Sequence, residues 1–279
     1  MKKSDATAME MLASPPAVPP LKWAGGKRWF VARHMDLVPD SFNTYIEPFV
    51  GSGAMFFALE PNAALLSDAN AELINLYQCI RDQPDELQRL LRYCHARHCS
   101  EFYYEVRAQK PRAPLRRAAR MLYLNRTCWN GLYRVNKRGE FNVPIGTKDS
   151  VILESDDFNR LSKILAHAEM AVSDFEPVIN SAVEGDFVFV DPPYTVAHNS
   201  NGFVKYNEDL FGWADQERLR DCVGRAAARG AKVLVTNAAH VSIYRLYEGF
   251  EQICVSRAGV IAGASSARGQ FNEVLIKCY

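Results

Sequence analysis

Residues 186–194 read Asp186-Phe187-Val188-Phe189-Val190-Asp191-Pro192-Pro193-Tyr194. From Phe187 to Val190 every position is apolar, β-branched or aromatic, with no polar alternation. That pattern marks a parallel strand buried on both faces. Asp191 then stands at the carboxyl end of the strand, where open α/β sheets bind their ligands. The two prolines lack amide hydrogens, so they end the ladder and stiffen the turn. A carboxylate, free backbone carbonyls and an aromatic ring are thereby held at the edge of a sheet. Such a site suits a flat group carrying an NH2: Asp191 and a turn carbonyl accept its two hydrogens, and Tyr194 stacks on its face.

Upstream, Phe42 to Ile46 reads as a strand, Glu47-Pro48-Phe49-Val50-Gly51-Ser52-Gly53 as a Gly-rich turn, and Ala54 to Leu59 as a helix. Strand, glycine turn and helix form the first unit of a nucleotide-binding α/β fold. The next apolar run, Ala63 to Leu66, leads to Asp68, placed to take ribose hydroxyls; the plainer reading is a helix cap before Ala69. Phe56 stands where a dinucleotide fingerprint has its third glycine, and no Gly-Lys-Ser/Thr P-loop occurs. What remains is an adenosine-type ligand without a pyrophosphate, a description that S-adenosylmethionine fits. Leu21-Lys22-Trp23-Ala24-Gly25-Gly26-Lys27 reads as a loop where backbone approaches a ligand, although a surface turn has the same appearance.

From Ala71 to Arg126 the period turns helical. Ala71–Arg81, Asp85–His98, Glu101–Gln109 and Leu115–Arg126 are expected helices, broken by Pro84, Pro111 and Pro114. They form an insertion that ends in an aromatic, amide and Arg-rich stretch from Cys128 to Gly146, whose Asn130-Gly131 and Arg138-Gly139 turn signals suggest a hairpin. The α/β pattern returns with a helix over Asp156–His167, a strand over Ala171–Ser173 ending at Asp174-Phe175, a helix over Gln216–Arg229 and a strand over Ala231–Thr236. Phe250–Val255 and Val274–Cys278 look like a closing antiparallel pair. The expected division is a loose tail over 1–20, a catalytic unit over 21–70 and 155–279, and a recognition unit over 71–154.

Net charge is +1, so no global field advertises a nucleic-acid partner. Locally, Arg107, Lys110, Arg112, Arg116, Arg117, Arg120, Arg126, Arg134, Lys137 and Arg138 are opposed only by Glu140. That is either the field a phosphate backbone meets or a solvated helix face. The seven cysteines, odd in number and without framework spacing, read as reduced thiols of a cytosolic protein. Cys94, His95, His98 and Cys99 have metal-ligand chemistry, but they fall in a helical run where only some share a face, so no metal is expected. No stretch approaches the ~20 apolar residues of a membrane span. The Ala/Pro-rich start, interrupted by Asp5 and Glu10, is not a signal peptide.

With these residues laid out, the sequence resembles the adenine-specific DNA methyltransferases of the Dam/DpnII type, the α-class or D12 family. The resemblance runs from Leu21 to Tyr279. It rests on Lys22-Trp23-Ala24-Gly25-Gly26-Lys27, Glu47 to Gly53, Asp68, Asn130-Gly131-Leu132-Tyr133-Arg134, Phe141-Asn142-Val143-Pro144, Asp191-Pro192-Pro193-Tyr194 and Arg268-Gly269, in that order. It implies a Rossmann-like S-adenosylmethionine-dependent methyltransferase sheet carrying a mostly helical target-recognition insertion. It implies that Trp23, Lys27, Asp68 and Asp191 contact S-adenosyl-L-methionine, that Phe49, Gly51 and Gly53 line its methionine and ribose, and that Asp174 and Phe175 face its adenine. Lys22, Trp129, Asn130, Leu132, Arg134 and Pro144 match the family's DNA contacts, with Trp129 at the position of an aromatic that enters the duplex. Thr195-Val196-Ala197-His198, where many relatives carry Pro and Leu, and the loop from Asn199 to Phe211 depart from the pattern; both bear on the flanking DNA contacts.

The implied reaction is methylation of the N6 amino group of adenine in double-stranded DNA, with S-adenosyl-L-homocysteine as product and GATC as the default site. Asp191 and the Pro192 carbonyl would accept the amino hydrogens. Tyr194, with Phe203 or Tyr206, would stack on the flipped base. Arg134 would read a guanine edge or hold a phosphate, and Val143-Pro144 would meet a thymine methyl. Trp129 has a core reading as well. Two other classes compete: an amino-methyltransferase acting on structured RNA or a protein amide, and an inactive DNA-binding module. The further expectations are a bacterial or phage-encoded cytoplasmic protein, monomer or weak dimer, with any cognate restriction endonuclease acting separately.

Overall fold

The computed structural model describes residues 16–136, 138–196, 211–258 and 270–279. Its strands, in chain order, are β1 (Tyr45–Glu47), β2 (Ala64–Asp68), β3 (Ala168–Val172), β4 (Phe187–Val190), β5 (Lys232–Ala238), β6 (Glu251–Ala258) and β7 (Gln270–Cys278). They join in the order β3-β2-β1-β4-β5-β7-β6. The first five pair in parallel, while β7 runs antiparallel between β5 and β6. The apolar run before Asp191 is thus a central strand, flanked by β1 and β5. From β1 the chain moves outward to β2 and β3, then returns to lay β4 on the other side of β1. A crevice opens at such a reversal, at the carboxyl ends of the two strands. Glu47 and Asp191 both sit there.

Period-2 alternation gives each sheet face its own core. Phe187 and Phe189 of β4 pack with the helices α1 (Arg28–Val31), α2 (Ala54–Leu59), α3 (Ala71–Asp82), α4 (Pro84–Ala96), α5 (Ser100–Ala108), α6 (Pro114–Thr127) and α7 (Phe158–Leu165) in one continuous cluster. Val188 and Val190 face α8 (Phe175–Asn180), α9 (Trp213–Ala228) and α10 (Val241–Leu246). The helical insertion therefore grows out of the layer that covers the sheet. Its helix α3 packs on β2 and β3 and also on α6 and α7.

The helix ends explain where expectation and structure differ. Pro84 and Pro114, expected as breaks, occupy the first turns of α4 and α6, where a missing N–H costs nothing. Asn70 caps α3 by accepting from the Glu72 and Leu73 amides at 3.0 and 3.3 Å. The hairpin signal at Arg138-Gly139 corresponds to an antiparallel bridge between Val135 and Phe141. Asn130-Gly131 instead forms a 3₁₀ turn in which both residues have positive φ, 58° and 67°.

The expectation of a loose tail through residue 20 is corrected: Ala17, Pro19 and Pro20 are buried. The reason is Arg126, which was counted in the basic run but is itself buried. Its guanidinium donates to Pro20 O at 2.7 Å, to Val151 O at 2.7 Å and to both Asp156 carboxylate oxygens at 2.6 Å. Two distant segments, at Pro20 and at Val151–Asp156, are tied to one side chain. Removing one partner of a buried pair strands the other charge, so Arg126→Met is expected to cost about 3–5 kcal/mol, read as a shift in the denaturant midpoint.

Candidate active site and nucleic-acid interface

The turn after β1 depends on two glycines at positive φ, Gly51 at 46° and Gly53 at 65°. A Cβ on Gly51 would lie 2.8 Å from the Trp23 ring, so only glycine lets the turn meet that indole. The Gly51 amide donates to Asp68 at 3.2 Å and its carbonyl accepts from Tyr77 OH at 2.7 Å. The indole also stacks on Tyr133, with centroids 5.5 Å apart. Trp23 thereby joins the glycine turn to the stretch expected to recognise DNA. Asp68 accepts from the Asn70 amide at 2.9 Å. Since Asn70 is the helix cap, the plain capping reading of Asp68 falls away. Burial raises the Asp68 carboxyl above its usual range against these two amide bonds.

Asp191 follows β4 and faces Lys27, which is buried. The Lys27 ammonium lies 2.7 Å from Asp191 Oδ1 and 3.7 Å from Glu273 Oε2, and donates to Gly25 O at 2.8 Å. Thr236, on β5, also donates to Asp191 Oδ1, at 2.7 Å. Both partners hold the same oxygen. Asp191 Oδ2 takes no hydrogen bond among the described residues. Tyr194 OH donates to Glu273 at 2.6 Å, and Lys27 sits 5.0 Å from the Tyr194 ring centroid. Burial, with the nearby charges of Asp191 and Glu273, holds the Tyr194 hydroxyl well above the usual phenol range. Pro193 O accepts from Gln216 Nε2 at 3.2 Å, and Gln216 accepts from Asn237 at 3.0 Å. The Pro192 carbonyl takes no hydrogen bond among the described residues.

Beside the crevice, Phe49 stacks on Phe175 at 5.4 Å, and Phe211 closes on both rings at 5.7 Å. Asp174 caps α8 through the Glu176 amide at 2.8 Å. It also takes Arg218 at 2.7 and 2.9 Å, which holds its carboxyl below the usual range.

On the recognition side, Trp129 is 52% exposed, which overturns its core reading. Its amide donates to Pro144 O at 3.0 Å. Lys22, Asn130, Arg134 and Pro144 are also exposed, while Leu132 is half-buried. The Asn125 amide group pairs with both backbone groups of Lys22, at 3.0 and 2.8 Å, and donates to Gly131 O at 3.2 Å. That one side chain brings Lys22 against the Trp129–Leu132 turn. The neighbouring Lys148 and partial burial lower Lys22 to about 8. Arg134 Nε donates to Asn142 at 2.9 Å.

Two expectations need correction. Val143 is buried, its carbonyl accepting from Tyr103 OH at 2.9 Å and Arg107 at 3.2 Å, so Pro144 alone offers an apolar surface there. The basic run is not one field. Arg117 pairs with Glu72, Lys110 with Glu140 and Arg126 with Asp156, while Arg120 binds the carbonyls of Val106 and Arg107. Arg112, Arg116 and Arg138 make no ion pair among the described residues. Lys137, Ala197-His198, the loop through Asn199, Phe203 and Tyr206, and Arg268-Gly269 lie outside the described residues. His98 meets the Tyr123 hydroxyl at 2.9 Å, and no metal-ligand cluster occurs among the described residues. No described helix is long and apolar enough to cross a membrane.

A parallel order of 3-2-1-4-5 with an antiparallel seventh strand slotted before the sixth is the sheet of Rossmann-like methyltransferases, with Asp191 at its reversal point. Within that class, the chain belongs to the D12 class N6 adenine-specific DNA methyltransferases, whose family model matches residues 23–258. It is 34% identical over 267 residues to the type II methyltransferase M1.LlaDCHI of Lactococcus lactis subsp. cremoris, covering 92% of this chain and 94% of that protein. It is 35% identical over 255 residues to the type II methyltransferase M.MjaIII of Methanocaldococcus jannaschii, covering 83% and 88%. It is 29% identical over 262 residues to the DNA adenine methylase of Escherichia coli K12, covering 91% and 93%.

Sequence reasoning assigned no role to Glu47, Gln216, Thr236, Asn237 or Glu273. Only Glu47 had a signal, its place one residue before the Pro48-Phe49 turn. Burial holds the Glu47 carboxyl well above its usual range, and the charges of Asp191 and Asp68 add to the effect against the 2.9 Å bond from Tyr45 OH. A raised folded pKa makes its contribution to stability complete below the unfolded value and lost as pH rises through the folded one. Glu47→Gln is therefore expected to match the parent in thermal melts at low pH and to gain on it progressively as pH rises above the ordinary carboxylate range.

Proposed function

We propose that the protein transfers the methyl group of S-adenosyl-L-methionine to the N6 amino group of an adenine flipped out of double-stranded DNA, with GATC as the default site. The observation that carries this reading is the division of labour on Asp191. Lys27 and Thr236 hold Oδ1, and Oδ2 takes no hydrogen bond among the described residues. The Pro192 carbonyl is likewise open, because Gln216 engages its Pro193 neighbour. An adenine amino nitrogen has its lone pair delocalised into the ring. Two acceptors that take both of its hydrogens draw it toward pyramidal geometry and release that lone pair. As positive charge grows on nitrogen these hydrogen bonds strengthen, so they favour the transition state over the ground state. Holding the reactants aligned contributes further, up to about 7–11 kcal/mol in well-oriented systems.

The donor set fits the cofactor. The Gly51 turn, which a Cβ would block, and the half-buried Asp68 side chain suit a ligand with hydroxyls and no pyrophosphate, and the Phe49–Phe175 pair suits a purine. Trp23 closes the glycine turn, Lys27 stands at the base of Asp191, and Asp174 stands at the start of α8. When bound, the cofactor supplies a methyl on a sulfonium sulfur, already an activated leaving group.

Residues 71–154 would serve as the target-recognition part. Flipping costs a few kcal/mol of unstacking. Trp129, exposed beside Asn130, is placed to offset it by stacking, worth ~1–3 kcal/mol per base. Lys22, crowded by Lys148, is relieved by an approaching phosphate. Arg134 presents the fork geometry that matches a guanine edge.

The decisive experiment incubates the protein with labelled S-adenosylmethionine and unmodified duplex DNA and identifies the modified base. N6-methyladenine is the expected product; label in RNA or protein instead would overturn the reading. Asp191→Ala is expected to abolish transfer and leave DNA binding largely intact. Arg134→Ala is expected to relax specificity at one base pair, at ~1–3 kcal/mol of discrimination. A uniform affinity loss across all sequences would make Arg134 a phosphate contact.

A further inference from the structure

We propose that Glu273, on β7, is a positioning residue for methyl transfer: it locks Tyr194 and shares Lys27 with Asp191, so that Asp191 presents a fixed and negatively charged Oδ2 to the adenine amino group. The proposal rests on the function proposed above.

Glu273 directly precedes an apolar run. Val274, Leu275 and Ile276 after it are fully buried, and Glu273 is buried with them. It pairs with Ala238 on β5 and with Val255 on β6, in the interior of the sheet. Placing a carboxylate there costs several kcal/mol of desolvation, and an apolar side chain of similar volume would serve packing as well or better. Nor is Glu273 needed to satisfy Lys27, which already pairs with Asp191 at 2.7 Å and donates to Gly25 O.

What the carboxylate does is fasten two catalytic neighbours through one oxygen. Oε2 accepts from Tyr194 OH at 2.6 Å and lies 3.7 Å from the Lys27 ammonium. The Tyr194 ring is thus held at its hydroxyl by Glu273 and has the Lys27 cation 5.0 Å from its centroid. These two contacts set where the ring sits. An ammonium paired with Asp191 alone would neutralise that carboxylate more fully. Sharing the cation with a second carboxylate leaves Asp191 more of its charge, the charge that holds the amino hydrogens and steadies the growing positive nitrogen. Thr236 completes the geometry from the neighbouring strand by holding the same Oδ1.

The test is single-turnover methyl transfer to duplex DNA at saturating S-adenosylmethionine, in Glu273→Gln, Glu273→Asp, Lys27→Met and the Lys27→Met/Glu273→Gln double variant, with thermal unfolding recorded for each. Glu273→Gln keeps size and hydrogen bonding but removes the charge. Its rate is expected to fall on the order of 10- to 100-fold, with KM for DNA and cofactor little changed. Glu273→Asp is expected to recover part of the rate. In the Lys27→Met background the Glu273 change is expected to cost little more, since the cation being shared is gone; this non-additivity is a readout that a purely structural carboxylate would not produce. A wild-type rate in Glu273→Gln, an equal loss in both backgrounds, or a loss confined to KM overturns the proposal. The wild-type reaction in the same series separates the two levels. Failure of the wild type to methylate adenine overturns the proposed function, whereas adenine methylation undiminished in Glu273→Gln overturns only the role of Glu273.

Discussion

A buried ammonium against a carboxylate organises this molecule. Lys27 is almost wholly removed from water, and its partner Asp191 ends the central strand. Taking either ion out of water alone would be prohibitive. Everything that makes the pair tolerable also makes it specific: the Gly25 carbonyl, the Thr236 hydroxyl and the Glu273 carboxylate each meet one of the two ions. These groups come from the loop before α1, from β5 and from β7. The sheet order brings them together, because β4 lies between β1 and β5 and β7 lies directly beyond. The reversal of strand order is thus the device by which an isolated tetrapeptide becomes a site.

Trp23 carries that arrangement outward. The indole fills the space beside Gly51 and also stacks on Tyr133. Lys22, one residue earlier, is held by Asn125 against the Trp129–Leu132 turn. Two consecutive residues therefore touch the glycine turn and the recognition stretch at once. The glycine turn and the Trp129–Leu132 turn are thereby tied to one another through side-chain and backbone contacts. The shared core beneath the helices reinforces that tie.

Much of this was legible in the sequence wherever periodicity or a backbone constraint leaves a local mark. Phe187 to Val190 lacks alternation because both of its faces are covered. Gly51 and Gly53 are glycines because their φ angles are positive. The ends of helices were less legible: a proline breaks a helix in its interior and begins one in its first turn, and spacing alone does not distinguish Pro84 or Pro114 from a breaker. Partners were least legible. Arg117 and Arg126 read like the exposed arginines around them, and only the fold says that Glu72 and Asp156 wait opposite. Thr236 and Glu273 sit in strands whose apolar pattern hides them, since a hydroxyl or carboxylate at a strand's ligand-facing end has no periodic signature.

The position of β7 has a temporal consequence. It enters between β5 and β6 rather than at an edge, and it brings Glu273 to Lys27, at the start of α1. Contacts so far apart in sequence form late, after their loop-closure entropy has been met by nearer ones. A growing chain can build the parallel half of the sheet, with its glycine turn and the helices of the insertion, before β7 exists. During that interval Tyr194 and Lys27 lack their common anchor, and β5 presents an open edge of the kind that pairs with other chains. Pairing of the seventh strand closes the β5 edge and completes the charge cluster in one step.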